Sequence, residues 1–492
     1  MILELVGARV LAPYLGTSIV VWTSLIGVVM ASLSVGYYLG GKAADTRADY
    51  KILAYMVFLA GISVGLVAIF KSVVLFGVQS QIADIRWASL LGAFILFTPA
   101  NIFLGAISPY AVKLYFSDSS RIASTVGNLY AISTVGSIVG TYVTGFFLIS
   151  YFGNTNLLFS LAALLIFLSL LVYPVKIKIR CLLVLALSAL PLFNLALRHQ
   201  FAAVDFLDVD TKYNRVWISD SIDPVSERPM RTLSTGARYI QSVMFLDPAP
   251  LERKSLCDNR RRQLFQRCGA GADELVVEYT KFFDLVWYFN PDIKKTLMLG
   301  GGAYSYPKYF LSQNKNAEMD VVEIDPGLTE LAKKFFNLQD SPRLDVFHQD
   351  GRVFLDKTNS KYDAIFIDAF ASSIPFHLTT KEFAGRVFDR LNEGGVVAMN
   401  IIASVEGDTG KFLRAEYATY KLLYDYVYIF PVQEPKNGGK IQNIILVAVK
   451  SDVENNWLGG YSDNLWTSEI ESDVPILTDD FAPVDQYLTK VL

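Results

Sequence analysis

The stretch TLMLGGGAYSYPKYFLSQNKNAEMDVVEIDPGLTELAKKFF (296–336) decides how the C-terminal half of this chain folds. It opens on a short apolar run that stops at Gly300, Gly301 and Gly302, crosses a helical segment, and returns as a second apolar run ending at Glu323. The pattern repeats outward in RLDVFHQD (343–350), YDAIFIDA (362–369), GGVVAMNI (394–401) and IQNIILVAV (441–449). Intervals of about 20 to 30 residues with helices between them are what parallel strands with crossover connections require. The expectation is an α/β doubly wound, Rossmann-like domain over 293–492, with its ligand at the carboxyl ends of the strands.

Those ends carry the candidate chemistry. The three glycines let the backbone turn tightly and approach a ligand closely. Glu323, about 21 residues on, stands where an acid accepts hydrogen bonds from ribose hydroxyls. Asp350, beside Gly351, ends the third strand, placed to accept from an adenine amino group, and Asp368 ends the fourth, nearest the reacting centre. Any one of these acids suits a helix cap or turn equally well. Four successive strand ends carrying glycine, Glu, Asp and Asp point instead to a nucleoside site. Asp325 is expected to cap the helix that begins at Pro326.

Upstream, NRVWIS (214–219), MRTLST (230–235) and YIQSVMFL (239–246) read as strands of a small β-unit, which with a linking helix occupies 201–292. Residues 1–200 differ in kind. They hold about 12 Lys+Arg and 5 Asp+Glu in a chain that is 52% apolar, and six apolar stretches (17–40, 52–73, 88–114, 124–150, 154–174 and 181–198) approach or exceed the length of a membrane crossing. The expectation is a multi-pass α-helical transmembrane bundle in a cell membrane, preceded by the tail of an apolar helix carrying Glu4 and Arg9. Gly136, Gly140 and Gly145 are expected to bring helix backbones together, and Asn101 and Asn128 to face the bundle interior. GYYLGGKAAD (36–45) resembles the glycine-rich loop motif of major facilitator transporters over those ten residues.

Charge gathers in alternate loops, at Lys42, Arg47 and Lys51, then Lys113 and Arg121, then Lys176, Lys178 and Arg180, which are thereby assigned to the cytoplasm. A further crossing by 181–198 would place the soluble half outside, whereas a cytoplasmic cofactor requires it inside; the cytoplasm is the expected side. The acidic soluble half argues against a nucleic-acid partner. No cysteine spacing suggests a metal site, although Cys257 and Cys268 are able to pair in an oxidising compartment.

Together, LGGG (299–302), VVEIDPGLTELAKKFF (321–336), HQDGRVFL (348–355), YDAIFIDAF (362–370), Thr380-x-Glu382-Phe383 and NEGGVVAMN (392–400) resemble the spermidine synthases, the polyamine aminopropyltransferases. TGARYIQS (235–242) and DEL (273–275) extend the resemblance upstream, and with the membrane half the chain resembles bacterial membrane-fused spermidine synthase-like proteins. The resemblance implies a methyltransferase-type fold for the Rossmann-like domain and S-adenosylmethionine or its decarboxylated form as cofactor. It makes Gln241 a cofactor contact, Glu323 the ribose ligand, Asp350 the adenine ligand and Asp368 the catalytic aspartate.

The chain departs from that pattern at Ala303 and Ala371, where the family carries acids, and at Glu278, where a histidine is expected. Tyr279, Tyr304, His377, Asp479 and Asp480 are candidates for a differently built acceptor site. The implied activity is transfer of an aminopropyl or methyl group to a small-molecule amine or other acceptor by a membrane-bound enzyme. A nucleoside-binding or sensing module, or a transporter with an accessory domain, are the alternatives. The implied partners are the acceptor and the lipid bilayer, with a homodimer left open.

Overall fold

The computed structural model describes residues 1–82, 84–115, 122–149, 153–174, 176–200, 206–236, 240–246, 273–369, 374–450, 459–489 and 491, so Cys257, Cys268 and Ala371 lie outside the described residues. The chain divides into two compact units, Met1–Val204 and Asp205–Leu492.

The first unit is helical: α1 (Ile2–Leu15), α2 (Ile19–Thr46), α3 (Tyr50–Gln81), α4 (Ile85–Tyr115), α5 (Ile122–Val143, continued by a π-turn at Thr144–Leu148), α6 (Asn154–Val172) and α7 (Ile177–Gln200). Among the described residues five helices are long and apolar enough to cross a membrane: α2, α3, α4, α6 and the segment Val126–Leu148. The sixth expected span, 181–198, is helical within α7 but is not one of the five. α1 has nine buried residues of fourteen and packs against α2, α3, α4 and α6.

The glycines that join helices are not the expected ones. Among the described residues, no atom outside the local helix backbone lies within 4 Å of where a Cβ would stand on Gly136 or Gly145, and a Cβ on Gly140 meets the side chain of Ile2. The close approach is between α2 and α4, where a Cβ on Gly36 would stand 2.3 Å from the Ile102 carbonyl oxygen and one on Gly40 2.4 Å from that of Ala106. GYYLGGKAAD therefore lies within helix α2, not a loop, and its small residues serve backbone packing in the way small-xxx-small pairs do in lipid. Asn101 is buried, its amide donating to the Phe97 carbonyl at 2.9 Å, whereas Asn128 is exposed.

The second unit begins with an antiparallel meander, β1 (Phe206–Asp210), β2 (Arg215–Ile222), β3 (Pro229–Ser234) and β4 (Ser242–Phe245). Short helical segments (Glu278–Lys281, Phe282–Leu285 and Val286–Phe289) lead into the large sheet. Its strands are β5 (Lys295–Leu299), β6 (Glu318–Val322), β7 (Leu344–Phe347), β8 (Tyr362–Ile367), β9 (Leu391–Ala403), β10 (Tyr426–Pro431) and β11 (Gln442–Val449), ordered β10-β11-β9-β8-β5-β6-β7.

Pairing is parallel from β7 to β9, with crossover helices α8 (Ser305–Gln313), α9 (Pro326–Phe335), α10 (Gly351–Lys357) and α11 (Lys381–Arg390). β11 runs antiparallel to both β9 and β10, so the sheet is mixed at that edge. The central strands are buried on both faces, which is why they read as unbroken apolar runs instead of alternating ones. Chain order reverses direction across the sheet at β5, and that switch point leaves a crevice at the carboxyl ends.

Candidate active site

Register brings the strand ends level. Leu299 lies opposite both Val322 and Ile367, and Val322 opposite Phe347, so the residues that follow β5, β6, β7 and β8 emerge at one edge. Gly300 sits at φ +96, and a Cβ there would stand 2.4 Å from the Asp368 carbonyl oxygen. Only glycine allows the first loop to turn against the fourth strand in this way.

Glu323 holds that loop. One carboxylate oxygen accepts from the backbone N–H of Gly301 (2.9 Å) and Gly302 (3.2 Å), the other from Asp325 (2.9 Å), and the side chain is almost wholly buried. Burial pushes its carboxyl above the usual glutamate range while the three N–H donors pull it back. Asp325 caps α9 as expected, accepting from Gly327 at 3.0 Å.

Asp368 stands at the end of β8 with both oxygens engaged. Tyr279 Oη donates to Oδ2 at 2.9 Å, and Asn400 Nδ2, on β9, donates to Oδ1 at 3.0 Å; Asn400 is itself fixed by Asn443 Nδ2 at 3.0 Å. Burial raises the Asp368 carboxyl above the ordinary aspartate range, opposed by the bonds from Asn400 and Tyr279. Beside it lies a cavity of about 20 Å³ with Gln241, Ser242, Tyr279, Gly301 and Ser305 in its wall. That is room for about one water. Ser305 Oγ is buried with no hydrogen-bond partner among the described residues, a polar atom left for something that enters.

Asp350 follows the edge strand β7, one strand beyond Glu323 and three from Asp368. Its Oδ1 accepts from the N–H of Arg352 (2.9 Å) and Val353 (3.1 Å), capping α10 at Gly351, and its Oδ2 meets His377 Nε2 at 2.9 Å. The hydrogen bond from His377 holds the Asp350 carboxyl below its usual range. Ile324, directly after Glu323, and Val353, in the first turn of α10, are 41% and 40% exposed. They are large aliphatic faces of the kind a nucleobase covers.

The sequence-predicted residues thus fall into separate groups. Gln241, Tyr279, Gly301 and Asp368 share the cavity, and Gly300 and Gly302 shape the loop above it. His377 and Asp479 belong with Asp350: Arg352 bridges them, donating to the His377 carbonyl at 3.1 Å and forking onto the Asp479 carboxylate. Asp480 is exposed in the adjoining turn closed by Thr478 and Phe481. Tyr304 is fully buried behind the glycines, at φ +58, with its hydroxyl 2.7 Å from Thr329 Oγ1. Ala303 is also fully buried, its N–H donating to Ser242 Oγ at 3.1 Å.

Sequence reading missed Asn400, Asn443, Ser242, Ser305 and Arg352. Asn400 alone left a signal, as a polar residue inside the apolar run GGVVAMNI of a central strand.

Residues 278–424 match the family described as Spermine/spermidine synthase domain. A polyamine aminopropyltransferase of Vibrio vulnificus (strain CMCP6) is 31% identical over 171 residues, covering 34% of this chain and 54% of that protein. A probable polyamine aminopropyl transferase of Bifidobacterium longum (strain NCC 2705) is 36% identical over 127 residues, 25% of this chain and 28% of that one. The chain spans about half the length, or less, of these curated relatives. Among solved structures, a probable spermidine synthase from Corynebacterium glutamicum ATCC 13032 aligns over 48% of this chain and 77% of its own, at 21% identity and a TM-score of 0.38. The level strand ends and the glycine loop held by Glu323 fall within or beside the matched segment, and over residues 278–424 this chain is similar to the spermidine synthases.

Proposed function

We propose that the second unit is a transferase that moves an aminopropyl group from decarboxylated S-adenosylmethionine to an amine. The observation that carries the reading is Asp368, a partly buried carboxylate oriented by Tyr279 and Asn400 at the wall of a cavity that also touches the glycine loop. The cofactor fits the residues present. A glycine cradle that side chains would fill, Glu323 and Asp350 at neighbouring strand ends, and the unpartnered Ser305 hydroxyl are complementary to a nucleoside with a polar tail. When bound, such a cofactor supplies a sulfonium whose adjacent carbon is open to a nucleophile.

The chain's own residues do the rest. Asp368 receives the acceptor's ammonium as an ion pair, orients the nitrogen and takes up its proton, so that the lone pair is free. Its raised proton affinity suits it to that task better than an exposed aspartate. Tyr279 and Asn400 keep both oxygens in place, which limits the rearrangement needed during the reaction. The cavity in its present form holds about one water, so ligands enter by displacing its walls.

A second acceptor class is favoured by Ala303. With a methyl group instead of an acid there, the far end of a diamine has no counter-charge at that position. An acceptor with one amine, or methyl transfer from S-adenosylmethionine itself, fits that change. The five apolar helices agree with a multi-pass membrane protein by length and composition. We place the second unit in the cytoplasm, where its cofactor is made; labelling of Cys257 or Cys268 in intact cells by a membrane-impermeant thiol reagent would put it outside.

The test is thioether product release by the full chain in detergent, with decarboxylated and intact S-adenosylmethionine offered against an amine mixture. Asp368→Asn keeps the shape and removes the base, and turnover should fall by about 10² to 10⁴ with little change in cofactor affinity. Wild type that binds the cofactor and releases no product with any acceptor would overturn the enzyme reading in favour of a binding module.

A further inference from the structure

The constellation around Asp350 does something the transfer step does not use. A carboxylate offers about four lone-pair directions. Oδ1 gives two of them to the α10 N-terminus, through Arg352 N at 2.9 Å and Val353 N at 3.1 Å, and Oδ2 gives one to His377 Nε2 at 2.9 Å. One direction on Oδ2 remains. An ionised carboxylate only accepts, so Nε2 of His377 carries the hydrogen.

His377 is held from behind by a residue far away in sequence. Arg352 Nη1 donates to the His377 carbonyl at 3.1 Å and to Asp479 Oδ1 at 2.7 Å, while Nη2 donates to Asp479 Oδ2; Asp479 lies 127 positions from Arg352. Asp479 is anchored in turn by the Thr380 hydroxyl at 2.8 Å and, through its own N–H, by the Glu382 carboxylate at 3.0 Å. The Asp479 side chain is 41% exposed, where an ion pair adds little to stability. What a two-pronged fork does supply is direction.

We propose that Asp479, acting through Arg352, is a positioning residue that holds His377 against Asp350 and so fixes the single acceptor direction left for the exocyclic amino group of a ligand's base. This rests on the nucleoside reading of the site. A 6-amino base places an N–H donor on the free direction of Oδ2. A 6-oxo base places a carbonyl oxygen there, which forms no bond and is repelled. With His377 fixed, Asp350 cannot turn to relieve that repulsion, and the amino base is preferred. With the fork removed, both His377 and Oδ2 gain freedom and the preference shrinks.

The experiment compares 5′-methylthioadenosine with 5′-methylthioinosine, by calorimetry on the full chain in detergent, for wild type, Asp479→Asn, His377→Gln and the double variant. The expected result is a clear amino-over-oxo preference in wild type, reduced about tenfold in each single variant and no further in the double, because the two residues act in series. Arg352→Lys, which keeps the charge and loses the fork, should behave as Asp479→Asn does, and thermal unfolding of each variant separates loss of fold from loss of preference. An unchanged preference in folded Asp479→Asn, or additive losses in the double variant, overturns the proposal while leaving the nucleoside site standing. Wild type that binds neither compound overturns the nucleoside reading and this inference with it.

Discussion

Glu323→Gln is the substitution whose consequences follow most directly from the geometry. The wild-type carboxylate serves three backbone N–H groups, two from the glycine loop on one oxygen and Asp325 on the other, at 2.9 to 3.2 Å. A glutamine has the same length but only one acceptor oxygen, so whichever way it turns its NH₂ faces at least one N–H. Leaving a buried donor unmet costs about 1 to 3 kcal/mol. That should lower the unfolding temperature by about 2 to 4 °C per kcal/mol in a unit of this size.

Ligand binding adds a separate loss. If ribose hydroxyls share the carboxylate, replacing a charged acceptor by a neutral one removes about 1.5 to 3 kcal/mol more, a 10- to 150-fold weakening of a sulfonium nucleoside. Calorimetry and thermal unfolding of the full chain in detergent read the two effects independently. A variant with a lowered melting temperature and wild-type affinity would refute Glu323 as a ligand and leave it a loop clamp. A variant with both quantities unchanged would refute the described geometry itself.

Three further outcomes are expected. The proton affinity of Asp368 is raised by burial, so the acidic limb of kcat/KM against pH should lie above the ordinary aspartate range, and Tyr279→Phe, which removes a donor to it, should move that limb further up. Glu416, on the helix Lys411–Lys421, is fully buried with neither oxygen partnered among the described residues, and burial pushes its carboxyl far above the usual glutamate range. The folded state therefore holds the proton more tightly than the unfolded one, and stability present below about pH 4.5 is lost as pH rises toward the folded value. Glu416→Gln should flatten that slope and melt higher at neutral pH; a pH profile of unfolding identical to wild type would refute the buried-acid account. In the first unit Gly40→Val should destabilise the α2–α4 pair, because its side chain meets Ala106 backbone, while Gly136→Val, in open space, should melt within about 1 °C of wild type in detergent.

Much of the site was legible because its determinants are local. An apolar run, a stop on glycine, and an acid at the next stop are properties of consecutive residues, and parallel β-α-β chemistry ties them to one edge of a sheet. The Asp325 cap, the linking of strands by helices and the apolar length of the bundle helices were legible for the same reason.

Partnerships across the chain are another matter. Which small-residue stripe meets another helix is decided by packing, so α5 carried the clearer glycine spacing in sequence while α2 and α4 made the contact. The antiparallel course of β11 depends on hydrogen bonds to β9, and the strand β10 on hydrogen bonds to β11, that no local pattern encodes. The same holds for the Asn400 and Tyr279 bonds that orient Asp368, and for Arg352 joining Asp479 to His377. Residue type and spacing by themselves determined which strand ends bear acids. Only the tertiary structure decided what each acid touches, because a side-chain hydrogen bond between distant segments exists only once the whole sheet has brought them within about 3 Å of each other.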